Sequence, residues 1–230
     1  DSFLLTSNRD ETPLRAAEPP KFVAHRSYTL LYPKDPLANG TWICADNQNR
    51  LVCLLNGAFE RHQRKLPYRR SRGLMALDFF TYANTPAFFA AYHFIGIEAF
   101  TMVIYDKGNL YELRWDETQK HLKQLDPKQA YIWSSATLYT NEIRQKRQQW
   151  FSQWLQTKPA FTPEAILHLH VNGGDGDIYN DFVMNRHGIV QTVSVTSVVK
   201  TAHTLSMSYH DLIQDTLHTE QLPLKKNDSC

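Results

Sequence analysis

The chain has 230 residues, of which 42% are hydrophobic and 12% aromatic, so it can bury a sizeable core and wholesale disorder is excluded. The 25 Lys and Arg residues nearly balance the 23 Asp and Glu residues, which argues against a strongly cationic nucleic-acid binder. No apolar run approaches the roughly 20 residues that span a bilayer, and the three cysteines Cys44, Cys53 and Cys230 do not look like a disulfide framework. We therefore expect one soluble, cytoplasmic domain with free thiols.

The first third of the chain predicts short strands separated by loops. Residues 2–7 predict a strand, and the polar cluster Asn8-Arg9-Asp10-Glu11 follows it. The proline-containing stretch up to Pro36 predicts mostly loop, with one strand near residues 28–32. Two β-rich runs joined by turn-forming residues predict a hairpin, at 41–45 and 51–55.

The middle of the chain predicts two helices and then more strands. One helical pattern starts at Gly73, and Thr85-Pro86 predicts the capped start of a second helix. Further strands are expected at 99–105, 109–115, 122–125 and 131–134.

The last third predicts two helices and a terminal hairpin. Residues 141–156 lack Pro and Gly and place apolar side chains along one side, which is typical of an amphipathic helix. Another helix starts at Thr162-Pro163-Glu164 and ends at Gly173, and a period-2 hairpin follows at 189–199 and 203–209. Strands, helices and strands without βαβ alternation indicate an α+β protein of antiparallel sheets covered by helices, for which a four-layer sandwich is one architecture.

The cluster from Ser7 to Glu11 is the densest set of charged groups near any strand end. On general grounds a solvated turn is the favoured interpretation. The alternative is a reacting centre, because the Arg9 guanidinium can clamp a carboxylate or thiolate while Asp10 holds and polarises an amine.

The same cluster resembles the signature of the NRDE family, also called the transport-and-Golgi-organisation family. Four further segments are similar to family motifs and occur in the expected order: Gly40-Thr41-Trp42, Leu55-Asn56-Gly57-Ala58-Phe59-Glu60, Ser71-Arg72-Gly73 and Ser134-Ser135-Ala136-Thr137-Leu138-Tyr139. The family is in turn similar to the N-terminal nucleophile (Ntn) hydrolases of the cholylglycine hydrolase and penicillin V acylase branch. The resemblance implies one domain over 1–230, an Ntn-hydrolase-like αββα sandwich of two antiparallel sheets with helices outside.

The resemblance also implies roles for individual residues. In the hydrolase branch, a Cys exposed by removal of Met is the nucleophile and its free α-amine is the general base. Arg9 and Asp10 would lie beside that nucleophile, and Asn56 would donate to the oxyanion. Ser134 and Ser135 lie where the branch has a second Asn, and of the two we expect Ser135 to be catalytic. We expect three more motif residues to bind substrate: Asn8, Trp42 and Arg72.

The chain departs from the hydrolase pattern in two further places. It begins at Asp1 without an N-terminal Cys, so the resemblance implies that roughly ten residues of a first strand precede it. Where the branch has a late Arg that stabilises the transition state, the nearest match is Val190, with Arg186 as a substitute upstream.

For several other patterns the favoured interpretation is structural rather than functional. The basic run 61–72 could bind phosphates, nucleic acid or an anionic substrate group, but a solvated loop is the favoured interpretation. Cys44 and Cys53 are interpreted as core residues. The acidic loop 175–181 lacks the Gly and the late Glu of a calcium site, so we expect neither a metal nor a cofactor. His168 and His170 lie two apart in a helix, which points them to different faces.

The sequence thus predicts a thiol-dependent amidohydrolase that acts on a carbon–nitrogen amide bond of a small molecule. The alternative is a non-enzymatic binding or trafficking protein for a hydrophobic ligand such as haem. Neither alternative involves nucleic acid or a membrane span, and the sequence leaves the oligomeric state open.

Overall fold

The computed structural model describes residues 2–26 and 28–225. Its strands are β1 (Phe3–Glu11), β2 (Glu18–His25), β3 (Tyr28–Lys34), β4 (Ile43–Asp46), β5 (Arg50–Asn56), β6 (Phe100–Asp106), β7 (Asn109–Trp115), β8 (Lys120–Leu125), β9 (Asn185–Arg186), β10 (Val190–Lys200), β11 (Thr204–Asp211) and β12 (Thr216–Pro223). Its helices are α1 (Arg72–Asp78), α2 (Thr85–Ala91), α3 (Asn141–Gln156) and α4 (Pro163–Asn172), and a 3₁₀ turn (Phe79–Thr81) follows α1.

The strands form two antiparallel sheets. The larger sheet contains β2 to β8 in chain order, so each strand pairs with its neighbours in sequence. The smaller sheet has the order β1-β10-β11-β12, and the short β9 also pairs with β10. The first strand, β1, pairs with β10 from the last part of the chain, and the register places Phe3 opposite Lys200 and Glu11 opposite Gln191.

Two apolar cores hold four layers together. One core lies between the sheets and includes Ile43, Leu51 and Val103 of the larger sheet, packed against Val198 and Met207 of the smaller one. The second core lies on the other face of the larger sheet, where side chains of α1, the 3₁₀ turn and α2 pack, among them Met75, Phe79, Phe80 and Phe88. Because α4 packs against β1 and β10, the layer order is αββα. This architecture confirms the predicted α+β fold class.

Most predicted elements are present, and the bounds of α3 agree with the prediction. Helix α2 starts one residue earlier than expected, because the side chain of Asn84, not Thr85, accepts from the N–H of Ala87. The polar cluster Asn8-Arg9-Asp10-Glu11 lies within β1 rather than after it, because its backbone continues the pairing with β10 as far as Glu11.

Three strand predictions are wrong. Strand β2 lies in the stretch for which a loop is predicted, because prolines 19 and 20 argue against a strand. The strand tolerates both prolines because it lies at the edge of its sheet and its register shifts between Glu18 and Lys21. Residues 131–134 form no strand, and Trp133 is instead fixed by its indole N–H, which donates to Glu112 Oε2 at 2.7 Å. The polar edge strand β12 was not expected, because its residues alternate without a strong apolar face.

Cys44 and Cys53 are buried free thiols, as expected of core residues, while Cys230 lies outside the described residues. They pack in different cores on opposite faces of the larger sheet. Burial raises the pKa of Cys53 to about 11 and that of Cys44 well above the ordinary value, so neither is a ready nucleophile at neutral pH. Within the described residues, none of the helices has the length and apolar character needed to cross a bilayer.

Candidate functional site

A cleft of about 1440 Å³ follows the whole length of β1. One edge of β1 pairs with β10, and the other edge has no strand partner among residues 2–26 and 28–225. Side chains from both sheets, from the loop 127–135 and from α3 and α4 line the cleft. All seven predicted site residues lie in this lining: Asn8, Arg9, Asp10, Trp42, Asn56, Arg72 and Ser135.

Arg9 projects between the two sheets. Its guanidinium donates to the carbonyl oxygen of Arg15 at 2.8 Å, lies 3.6 Å from Asp35 Oδ2 and stacks over the ring of Trp42. Arg15 also pairs with Asp35, at 2.7 Å. Burial lowers the pKa of Arg9, but nearby carboxylates oppose this shift, so the group remains a fixed positive charge at one wall of the cleft.

Asp10 faces the opposite side of the smaller sheet from Arg9, because adjacent side chains in a strand alternate. Its Oδ2 accepts from the hydroxyl of Tyr139 and its Oδ1 from the hydroxyl of Thr192, both at 2.7 Å. Burial and the nearby Asp10 raise the pKa of Tyr139, so the phenol stays protonated and continues to donate. These two hydrogen bonds hold the Asp10 carboxylate in one orientation. Because it lies on the other face of the sheet, the carboxylate makes no direct contact with the Arg9 guanidinium.

Asn8 shares the face of Asp10 and is fixed by α4. Its Nδ2 donates to the carbonyl oxygens of His170, at 3.0 Å, and Phe182, at 2.7 Å, while its Oδ1 accepts from His170 Nδ1 at 2.7 Å. Every polar atom of this amide therefore takes part in fixing β1 to α4 and to the segment after α4 that contains Phe182. The predicted role of Asn8 in substrate binding stays a prediction, and the contacts indicate that Asn8 positions β1.

Asn56 and Ser135 meet at the end of β5. The carbonyl oxygen of Asn56 accepts from Ser135 Oγ at 2.9 Å and from the N–H of Ala136 at 3.1 Å. Gly57 allows this approach, because its φ is +82° and a Cβ there would lie 3.0 Å from side-chain atoms of Ala136 and Thr137. The Asn56 side chain is exposed and its amide has no hydrogen-bond partner among the described residues, so it is free to donate to a bound group.

Trp42 and Arg72 lie in the cleft wall with partners of their own. Trp42 packs on Arg9 and Tyr209, and its indole N–H is buried without an acceptor among the described residues. Arg72 donates to the carbonyl oxygen of Ala99 at 3.0 Å and pairs with Glu98 at 3.2 Å. Their predicted contacts with substrate are untested, and Arg72 already has an intramolecular carboxylate.

Two of the glycine-containing motifs pack directly on each other in the wall of the cleft. A Cβ on Gly40 would lie 2.6 Å from the carbonyl carbon of Gly73, and a Cβ on Gly73 would lie 2.9 Å from the backbone N and O of Thr41. Glycine is therefore needed at both positions, because a side chain at either one would collide with the backbone of the other motif. This contact fixes the start of α1, where Ser71 Oγ caps the N–H of Leu74.

Sequence reasoning missed several residues that shape the site. Asp35, Thr192 and His170 come from distant parts of the chain, and no local pattern links them to the Asn8-Arg9-Asp10-Glu11 cluster. Tyr139 is the last residue of a segment that is similar to a family motif, and this similarity could have identified it as a candidate site residue. Arg186 does not line the cleft: its guanidinium donates to Tyr179 O and Asn180 Oδ1.

Metal binding receives no support from the arrangement of ligating side chains. No group of three or more His, Cys, Asp or Glu residues with metal-binding geometry occurs among residues 2–26 and 28–225. In the loop 175–181, Asp181 accepts from the N–H groups of Asp175 and Gly176, so its carboxylate closes a turn.

Comparison with known proteins gives a family and a set of structural matches. A comparison with curated proteins finds no match. Among solved structures, two variants of conjugated bile acid hydrolase from Clostridium perfringens are similar to this chain, with 9% and 10% identity and TM-scores of 0.44 and 0.43. These alignments cover 98% and 99% of this chain and 89% of each hydrolase chain. The family model described as Transport and Golgi organisation 2 matches residues 2–204, so the chain belongs to the Transport and Golgi organisation 2 family.

Proposed function

We propose that the protein is an Ntn-type amidohydrolase whose Cys nucleophile precedes residue 1 and lies on a strand paired with the open edge of β1. A strand joined to β1 by a tight turn runs antiparallel to it. About ten residues before Asp1, including the turn, bring the first residue of that strand beside Arg9 and Asp10, since a strand rises about 3.3 Å per residue. The open edge of β1, facing the cleft that holds all seven predicted site residues, is the observation that carries this proposal.

The polar groups around that position suit acylation of a thiolate. The α-amine of the Cys takes the thiol proton, the sulfur adds to the amide carbonyl, and the ammonium returns the proton to the leaving amine. Asp10, held by two hydroxyl donors, has free lone pairs for the ammonium, and Arg9 supplies a fixed positive charge on the other side of the strand. Water then hydrolyses the thioester and regenerates the thiol.

The Asn56 amide is the candidate oxyanion donor. It is exposed to the cleft without a protein partner among the described residues, whereas the backbone at Asn56 is fixed by Ser135 and Ala136. A free donor on a fixed backbone is what stabilises developing negative charge without reorganisation. Ser135 Oγ donates to the Asn56 carbonyl, so we assign it to positioning this segment.

The test uses the chain from its natural start and a panel of N-acyl p-nitroanilides. Replacement of the upstream Cys by Ala abolishes release of p-nitroaniline, and Asn56→Ala lowers kcat by about 10² to 10³-fold, the usual effect of losing one oxyanion donor. Asn109→Ala, at an exposed position of β7 outside the cleft lining, leaves the rate unchanged. A gene that encodes no Cys at this place, or full activity in Asn56→Ala, contradicts the mechanism.

A second candidate is a non-enzymatic binding or trafficking protein for a hydrophobic ligand such as haem. The size of the cleft and its aromatic lining, which includes Trp133, Phe151 and Trp154, favour it. Ligand binding that survives replacement of the upstream Cys, with no covalent intermediate in the native chain, would support this candidate over the hydrolase. Cys44 and Cys53 are free thiols in the core, and this supports a cytoplasmic location for either function.

A further inference from the structure

A buried arginine, Arg147, lies in the wall of the cleft. Arg147 of α3 is 5% exposed, and it lines the cleft together with other residues of α3 and α4. Its Nη2 lies 3.2 and 3.5 Å from the carbonyl oxygens of Asp181 and Phe182, and its Nε is buried without a partner. No carboxylate of the described residues comes within ion-pair distance of Arg147.

The other arginines buried around the cleft and core are paired. Arg50, the most buried of them, contacts Asp46 at 2.7 Å, Arg9 lies near Asp35, and Arg72 pairs with Glu98. A guanidinium removed from water is strongly destabilising unless an opposite charge or several acceptors replace the lost hydration. Within residues 2–26 and 28–225, Arg147 has only two long contacts to carbonyl oxygens and the faces of two rings, Tyr139 at 4.1 Å and Phe182 at 4.9 Å.

His170 lies beside this charge and stays neutral. Burial and the positive charge of Arg147 lower the pKa of His170 to about 4. Its Nδ1 donates to Asn8 Oδ1, which leaves Nε2 as the unprotonated nitrogen of the neutral ring. The imidazole therefore adds no second positive charge beside the Arg147 guanidinium at neutral pH, and this guanidinium suits a negatively charged group.

The surroundings of Arg147 are apolar. Phe151 and Trp154 follow it at helical spacing on the same side of α3, and Ile166 of α4 lies across the same cleft. All three are partly exposed, which makes them available to an apolar body. We propose that Arg147 binds the carboxylate of an amphiphilic monocarboxylate whose hydrocarbon part packs against Phe151, Trp154 and Ile166.

This inference rests on the proposed function only in taking the cleft as the ligand site. The test measures binding to the full chain, with the upstream Cys replaced by Ala so that no turnover occurs. Decanoate and decanol, titrated separately and followed by calorimetry and by Trp fluorescence, differ in the charged end alone. We expect decanoate to bind at least about tenfold more tightly than decanol, because a charge-assisted hydrogen bond to a guanidinium is stronger than a neutral one.

Substitution at Arg147 isolates its contribution. In Arg147→Met the preference for decanoate over decanol falls to about one, while the affinity for decanol is retained. Lys146→Met, which removes a positive charge one position away that pairs with Asp175 outside the cleft lining, keeps the full preference. Because Arg147→Met also changes packing, the native chain supplies a second measurement: decanoate raises the pKa of His170 in NMR titrations, and decanol does not.

Three results overturn the proposal. They are equal affinity of the native chain for decanoate and decanol, a preference that persists in Arg147→Met, and no binding of decanoate up to about 1 mM, a Kd that corresponds to very weak association. The last result would arise if an acidic side chain from residues before Asp1 paired with Arg147. Failure of the hydrolase proposal alone leaves the carboxylate preference intact, so the two ideas fail separately.

Discussion

Acidification should destabilise the fold through His170. The neutral ring is built into the contact between β1 and α4, where Nδ1 donates to Asn8 Oδ1 beside the buried Arg147. Burial and Arg147 lower its pKa from 6.5 to about 4, so the unfolded chain binds a proton more readily than the folded one. The resulting stability is fully present above pH 6.5 and is lost as the pH falls towards 4. Between pH 7.5 and 4.5 the loss amounts to about 2.5 kcal/mol.

The assay compares urea unfolding of the native chain and His170→Asn at pH 7.5 and pH 4.5. The Asn side chain keeps an N–H donor near Asn8 but does not titrate, so the variant loses about 2.5 kcal/mol less on acidification than the native chain. Carboxylates that titrate over the same range affect both chains and cancel in the comparison. Equal losses in the two chains, or an NMR pKa of His170 near 6.5, would refute this reasoning.

Two stability predictions concern other parts of the fold. Gly40→Ala is expected to cost about 2 kcal/mol in urea unfolding, because the added Cβ would meet backbone atoms of Gly73 that cannot move away like a side chain; a loss below about 0.5 kcal/mol would contradict this packing. Arg50→Met is expected to cost about 3 to 5 kcal/mol, because it leaves the buried Asp46 carboxylate without its cation. Thermal unfolding that stays within about 2 °C of native for Arg50→Met would show that this ion pair contributes little.

Local patterns were sufficient to predict the helices and most strands. Helix α3 has a capping Thr140, no Pro or Gly and one apolar side, and all of these signals lie within its own residues. Strand β2 was not predicted because its two prolines argue against a strand. They are acceptable only at the edge of a sheet, and local sequence does not show that position.

The candidate site could be predicted in part. The motif resemblance pointed to seven residues, and the fold places all of them around one cleft. The sequence did not show which way these side chains point. Arg9 and Asp10 are adjacent, but they lie on opposite faces of the sheet, where Arg9 approaches Asp35 and Asp10 accepts from Tyr139. The sequence also could not show that Arg147 has no carboxylate partner in the described part of the chain, because this depends on which distant residues pack nearby.

The proposed hydrolase requires that a thiol on a strand beside the open edge of β1 forms an acyl intermediate. Intact-protein mass spectrometry of the full chain, quenched in acid during turnover of a p-nitrophenyl acyl ester, can detect this intermediate. We expect a mass increase of one acyl group, located on the N-terminal peptide and absent when the upstream Cys is replaced by Ala. No adduct, or an adduct on Cys53 in the core between the sheets, would contradict the proposed mechanism.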